Sequence, residues 1–388
     1  ERGRVMRHFR HLLLLAFVAL AWSCGGEFAT TTPATIPFVP QGPTSFVDPT
    51  ATFEGRVQLG RLVYVAPFAR VSGQVSIGDH SNVQDNVRIE GLVTVGDQVI
   101  LAHGCVVRGP ATLGAPGGAP CFVGFNAMVD GGVLEPGAML GIRSRLGPGV
   151  TLRSGMRILA GRSVTTQGEA DQPGLGKVVA VTEADHAFMR GVLHVNEELA
   201  SGYAAMQAED QNLVRGIGPS PVTSLHGARR LPTVGGVTTS DPLFPNRIIG
   251  EVTLADPVAE LFPRLAGRDS LRCDEGSPFR IGRIGSLGDA VTLHALEHSS
   301  LELGDNCQIG PGAVIHGGED VANQPPTVTR LGGNVAVGEQ AVTFRSTVGD
   351  GCVVGAGSLV ESSRLAPGTI VPDRTIMIGN LVLGTAEW

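Results

Sequence analysis

The most regular feature of the chain is a small apolar residue at every sixth place. From Val57 the series runs Val57, Val63, Ala69, Val75, Ser81, Val87, Val93, Val99, Cys105 and Ala111. Two places on, a second series runs Leu59, Val65, Val71, Ile77, Val83, Ile89, Val95, Leu101, Val107 and Leu113. The period resumes at Leu140, Leu146, Leu152, Ile158 and Val164, after a short insertion around Pro116 to Pro120. A second array includes Leu303, Ile309 and Ile315, then Val354, Val360 and, less regularly, Val371 and Met377. No helical period of 3.6 residues fits these stretches. Along a strand, residues i and i+2 point to the same side, here inward. Gly, Asp and Asn after the second apolar residue supply corner conformations. Each hexad is then one short strand plus a corner, and three hexads close a coil of about 18 residues that buries its inner face against neighbouring coils. The pattern predicts an all-β protein made of two stacked-coil domains in tandem.

Between the arrays the pattern changes. Asp185 to Arg215 places Val192, Val195, Leu199 and Met206 among polar residues, which predicts a helix packed along the first domain. Pro219 to Pro245 is rich in Pro, Gly, Ser and Thr and reads as a linker. The expected organisation is residues 46–215 for the first domain with its helix, 216–245 for the linker, and 246–388 for the second domain, without a matching terminal helix. At the N-terminus, Arg7, His8, Arg10 and His11 precede an apolar run from Leu12 to Trp22, too short to span a bilayer and suited to a secretory leader. Ala21-Trp22-Ser23-Cys24 resembles a bacterial lipobox. It implies cleavage after residue 23, a lipid anchor on Cys24, a Thr/Pro-rich tether over 24–45, and a periplasmic, outer-membrane lipoprotein of the cell envelope.

Composition narrows the options. Gly accounts for 55 of 388 residues and aromatics for 5%, which suits β-structure with many tight corners. The formal charge of −7 argues against a nucleic-acid partner. With 42% hydrophobic residues the chain has enough apolar material for real cores. Cys105, Cys121, Cys273, Cys307 and Cys352 form no CxxC and no even-spaced framework, so they read as buried, inert thiols.

The histidines carry the candidate chemistry. His294 in "VTLH" and His316 in "AVIH" each follow an inward pair, at the same hexad position. They are 22 residues apart, one coil plus a four-residue insertion. They should therefore stack in successive coils, about 4.8 Å apart, close enough to share one metal ion. His103 in "ILAHG" sits one place later in its hexad, where the second array has Pro311. The places matching His294 and His316 in the first array are Glu90 and Arg108. Each array thus holds the histidines that the other lacks.

These residues give the chain a family resemblance. "HSNVQDNVRIEG", "ILAHGCVVRGPATLG" and "VLHVNEELASGY" in the first half, with "LRCDEGSPFRIG", "LGDAVTLHALE" and "GAVIHGG" in the second, resemble the γ-class carbonic anhydrases. Those enzymes are trimers of left-handed parallel β-helices, with the metal between subunits. The resemblance implies that His294 and His316 are the ligands given by one subunit and His103 the ligand given by its neighbour. It further implies proton transfer by Glu297, an active-site loop carboxylate at Glu275, interface partners at Arg272 and Asp274, polar residues around the reacting water at Asn82 and Gln84, and a helix Asn at Asn196. The cofactor implied is one divalent metal per complete site, zinc first, with iron or cobalt as other metals that suit an all-His set. The substrate implied is CO2 or bicarbonate.

The departures from the family pattern are complementary. The first array has "RVSGQ" in place of the Arg-x-Asp-Glu-Gly loop, and the second has Ser286 and Gly288 where Asn and Gln belong. Neither domain alone supplies a full set. The expectation is a tandem fusion whose surviving site takes His103, Asn82 and Gln84 from the first domain and His294, His316, Glu275 and Glu297 from the second. A homo-oligomer built on trimer-like packing would follow, but a ring of three places cannot pair every domain productively. Two other functions compete: an inactive envelope scaffold, and a hexapeptide acyltransferase, against which the spaced His pair and the "DEG" and "HALE" motifs argue.

Overall fold

A computed structural model describes residues 45–318 and 328–388; the expected leader, Cys24 and nearly all of the tether lie outside them. Two parallel β-helices follow one another along the chain. In the first, one face is the stack Phe46–Val47, Tyr64–Val65, Asn82–Val83, Val99–Leu101, Cys121–Val123, Met139–Leu140 and Met156–Ile158. Its register steps by 18 residues, with Tyr64 beside Asn82 and Asn82 beside Ile100. The inner column Val65, Val83, Leu101, Val123, Leu140 and Ile158 is fully buried, and with the other two faces it makes one continuous core. This is the buried set that the sixfold period picks out.

The second β-helix has a parallel face made of Arg247–Gly250, Ser270–Cys273, Thr292–Ala295, Val314–Gly317, Val342–Phe344, Leu359–Glu361 and Thr375–Ile378. Its coils are longer because segments are inserted beyond the ends of these strands, at 274–278, 296–299 and after Gly317. The β-helix starts earlier than expected. Ile217–Gly218 pairs in parallel with Ile248–Ile249, and Thr233–Val234 with Thr253–Leu254, so strands lie inside the stretch read as a linker. The first coil there is interrupted by Pro219 to Pro232, which hides the hexad period.

The long helix spans Glu183–Glu209, two residues earlier than the sequence suggests at its start, because Thr182 and Asp185 form a reciprocal capping box. It breaks at Asp210 into a short 3-10 turn, Gln211–Val214. Met189, Val192, Leu193, Asn196, Leu199, Ala200, Tyr203 and Met206 form its buried stripe. That stripe does not serve the first β-helix alone. Met189, Val192 and Leu193 belong to an apolar cluster with Ile100 and Phe122 from the first and Val314, Phe344 and Leu359 from the second. Val195, Leu199 and Tyr203 cluster with Phe46, Tyr64 and Ile249.

The two β-helices meet along a seam of corners. One row from the first comprises Phe68, Asn86, Gly104, Asn126, Arg143 and Gly161, all with positive φ. The matching row from the second comprises Arg268, Ala290, Gly312, Gln340, Gly357 and Arg374, also with positive φ. Asn tolerates this conformation and keeps an amide free to donate. Asn126 uses it to reach the carbonyls of Gly312 (3.0 Å) and Gln340 (3.1 Å). Asn86 reaches Ala290 O at 3.3 Å and Thr292 Oγ1 at 3.2 Å. Gly104 has φ +70°, and a Cβ there would lie 2.1 Å from Asn126 Oδ1, so any side chain at that corner would displace the Asn126 amide from its contacts. The C-terminal segment ties the seam from outside: Glu387 N donates to Gly161 O, and Trp388 Nε1 donates to Arg143 O.

Candidate metal centre

The site forms where the first β-helix's corner row meets the strands Thr292–Ala295 and Val314–Gly317 of the second. His294 and His316 lie opposite each other in adjacent parallel strands, with Leu293 beside Ile315 on the inner side. Alternation that buries the leucine and isoleucine turns both imidazoles outward, into the seam. His294 Nδ1 and His316 Nε2 are 3.1 Å apart. His103 comes in from the opposite β-helix, held in its corner by Gly104. Its ring centroid is 5.0 Å from that of His294 and 5.1 Å from that of His316; His294 and His316 are 5.0 Å apart. The three rings thus form a near-equilateral triangle, each residue 1% exposed, with one nitrogen of each within 4.8 Å of the others.

The outward nitrogens are held by a second set of groups. His103 Nδ1 lies 2.9 Å from Asp85 Oδ2, a short contact poorly aligned for a hydrogen bond. His316 Nδ1 lies 2.5 Å from Gly317 O. His294 Nε2 lies 3.0 Å from Glu275 Oε1 and 3.3 Å from Asp274 Oδ1, again poorly aligned. Such partners fix the tautomer and aim the other nitrogen at the centre. Asp85 is also the seam's main ion-pair partner. It accepts from Arg272 Nη2 at 2.8 Å, from Arg272 Nε and from Ser270 Oγ, and Arg272 Nη1 donates to Asp274. Tyr203 of the long helix donates to Asp274 Oδ2 at 2.5 Å.

The electrostatics favour the neutral form of His103 and His316 but not of His294. Burial drives the His103 ring down to about 4, although Asp85 pulls the other way. Burial and the neighbouring His294 hold His316 well below the ordinary imidazole value. For His294, burial and Arg272 push down, but Glu275 and Asp274 outweigh them and raise it. Burial alone would raise Asp85, yet Arg272 and His103 hold it well below the usual carboxylate range.

A metal and its water suit this set on the molecule's own terms. His103 Nε2, both side-chain polar atoms of Asn82, Gln84 Oε1, Glu275 Oε2 and Asp274 Oδ1 are all buried without a hydrogen-bond partner. Buried polar atoms are nearly always paired, and this many orphans in one region call for a ligand with acceptor and donor needs of its own. Asn82 and Gln84 sit one coil before His103, at 1% and 6% exposure. Glu297 is half-buried in the turn after the His294 strand. Arg272 spends its donors on Asp85 and Asp274, so its place is that of an interface ion pair. Asn196 is buried, and its amide donates to Val192 O in its own helix at 2.8 Å.

Comparison with known proteins places the chain in a family. The chain is 34% identical over 188 residues to the carbonic anhydrase of Methanosarcina thermophila, a match covering 43% of this chain and 67% of that protein. The chain belongs to the γ-class carbonic anhydrase family. Its two β-helices are accordingly the left-handed hexapeptide-repeat kind. It is also 30% identical over 142 residues to the carboxysome assembly protein CcmM of Nostoc sp., and 32% identical over 136 residues to that of Synechocystis sp.. These matches cover 34% and 32% of this chain, and the chain spans only about a fifth of those relatives, 23% and 18%. Among solved structures, a hexapeptide transferase family protein from Anaplasma phagocytophilum matches with a TM-score of 0.35 and 23% identity, over 41% of this chain and 89% of that one. No family model matches the chain.

Asp85, Tyr203, Phe125 and Phe344 are parts of this cluster that reading the sequence missed. The Phe125 ring lies tilted over His316, with centroids 4.7 Å apart, and Phe344 meets Phe125 edge-on at 5.5 Å. Asp85 was detectable, because it precedes His103 by 18 residues, one full coil. The two phenylalanines and Tyr203 carry no such signal, since their roles exist only across the seam.

Proposed function

We propose that this chain catalyses the reversible hydration of CO2 to bicarbonate and a proton, at one site per chain shared between its two β-helices. The observation that carries the reading is the convergence of three buried imidazoles, two from one β-helix and one from the other, in a chain whose two halves each lack the complementary ligands. His103, His294 and His316 would hold one divalent metal, zinc first, with iron or cobalt also suited to an all-His set. When bound, the metal supplies the Lewis acidity that makes water a nucleophile at neutral pH. The chain's own groups do the rest. Neutral His103 and His316 keep lone pairs available for ligation. The orphaned amide of Asn82, the orphaned Oε1 of Gln84 and the free Oε2 of Glu275 orient the water and the substrate oxygens. Phe125 and Phe344 form an apolar wall that keeps bulk water away and suits CO2. Glu297, half-buried at the edge, carries the released proton outward.

Because a single chain brings the triad together, activity does not require association with further chains, although trimer-like packing of additional copies remains compatible with it. From the Arg7–Cys24 signal we also infer that the protein is a lipid-anchored envelope protein. The test of function is CO2 hydration by the full chain, purified without oxygen and resupplied with metal, beside His103→Ala. Activity that vanishes in the variant supports the shared site. An inactive, metal-loaded parent refutes it and favours an anhydrase-like scaffold, a role whose motivation is the likeness to carboxysome assembly proteins.

A further inference from the structure

Two coils beyond His103, the same seam holds a pair of arginines that nothing in the metal site explains. Arg143 stands in the first β-helix's corner row and is only 5% exposed. Its Nε is buried without a partner, and its Nη1 reaches only Gln340 O and Oε1, both at 3.4 Å. Its guanidinium carbon lies 5.3 Å from the centre of the Trp388 ring. Arg374 stands in the facing row, exposed, with Nη2 donating to Ala386 O at 2.6 Å. Both side chains converge on Gly357. A Cβ at that glycine would lie 2.9 Å from Arg143 Nη2 and 3.5 Å from Arg374 Cγ. Among the described residues, no carboxylate lies within 4.0 Å of either guanidinium.

Every other deeply buried arginine of this seam is paired: Arg272 with Asp85 and Asp274, and Arg247 with Asp48 at 3.1 Å. A buried cation without a counter-charge is costly, and a second cation beside it makes matters worse. Burial, and then the nearness of Arg374, already lower the Arg143 guanidinium to about 10. Because Gly357 has no side chain, Arg143 Nη2 packs where a Cβ would stand, with the stem of Arg374 beside it. Guanidinium groups pair best with planar or tetrahedral oxyanions, through two parallel hydrogen bonds.

We propose that Arg143 and Arg374 form a binding site for a small inorganic oxyanion, of the bicarbonate or sulfate class, which clamps the two β-helices together at Gly357. Oxyanion binding there neutralises both cations and stabilises the seam on which the metal triad depends. The site is separate from the triad and does not rest on the proposed activity.

The test uses the full chain, metal-free, at pH 8. Thermal unfolding is followed against sodium sulfate, sodium bicarbonate and sodium chloride at matched ionic strength, for the parent, Arg374→Met and Arg143→Met. The expected result is a saturable rise in Tm with sulfate or bicarbonate that chloride does not give, with the apparent dissociation constant raised roughly tenfold or more in Arg374→Met. Without anion, Arg374→Met should melt higher than the parent, because it removes the repulsion. Arg374 is exposed, so its variant keeps the test valid if Arg143→Met fails to fold. Saturation by bicarbonate alone would assign the site to that anion; saturation by both would assign it to oxyanions generally. A parent that responds no more to sulfate and bicarbonate than to chloride, or variants that retain the parent's saturable shift, would overturn the proposal.

Discussion

Replacing Asp85 by Asn tests the seam and the metal centre together. Asp85 is fully buried and faces Arg272, which is 1% exposed. The substitution keeps the shape and one acceptor but removes the charge that Arg272 needs. Stripping one partner from a buried ion pair costs about 3–5 kcal/mol. The lower end, about 3 kcal/mol, applies here because Asp274 still compensates part of the cation. A solvent-exposed pair such as Arg61–Asp79, with 69% and 30% of the two side chains exposed, gives the contrast, since breaking it costs less than about 1 kcal/mol. The second effect falls on His103, whose Nδ1 loses the carboxylate 2.9 Å away. Loss of such an orienting partner weakens metal binding roughly 10–100-fold. Urea unfolding of the metal-free protein at pH 7 reads the first effect, and competition with a chelator for zinc reads the second. An Asp85→Asn protein within about 1 kcal/mol of the parent, with unchanged zinc affinity, would refute the argument that this carboxylate serves both the seam and the site.

Two further outcomes follow from the buried rings and from the N-terminal signal. Folding drives His103 from its ordinary 6.5 to about 4, so the folded chain refuses a proton that the unfolded chain accepts. Metal-free stability should therefore be full above pH 6.5 and fall as the pH drops towards 4, by about 3 kcal/mol; urea midpoints across that range should show the slope, and His103→Gln should flatten it. If Cys24 is lipidated, labelled palmitate should enter the parent in bacterial cells and be absent from Cys24→Ala, and equal labelling would count against the anchor.

The inner columns of both β-helices could be read from the chain because a hexad repeat is local: each strand, corner and inward pair is set by neighbours a few places away. The stacking of His294 on His316 followed from the same arithmetic, and the register pairs them. The start of the second β-helix could not be read this way, because strands of two residues separated by Pro219 to Pro232 leave too little period to detect. Nor could the role of the long helix. Its apolar stripe predicts burial but not that Met189 and Tyr203 would reach across to the second β-helix. Contacts made across the seam depend on how two separately regular objects dock, and no periodicity encodes that.

The same docking accounts for which ligands the two halves have kept. The face of the first β-helix that carries Glu90 and Arg108, in the places of the paired histidines, looks to solvent; the two residues are 3.7 Å apart, each with 47% of its side chain exposed. Pro311, in the place of the third histidine, is likewise exposed, as is Ser286, in the place of the Asn. The retained groups, His103 with Asn82 and Gln84 on one side and His294, His316 and Glu275 on the other, all lie in or beside the buried seam. A chain with two β-helices forms one heterologous interface internally and leaves the other face of each half without a partner in the same chain. Ligands on those faces have no opposite number within their own chain with which to share a metal, so nothing in the single folded chain holds them to histidine. The pattern of substitutions is therefore what a single seam per chain requires, and it ties the placement of the metal centre to the fusion itself.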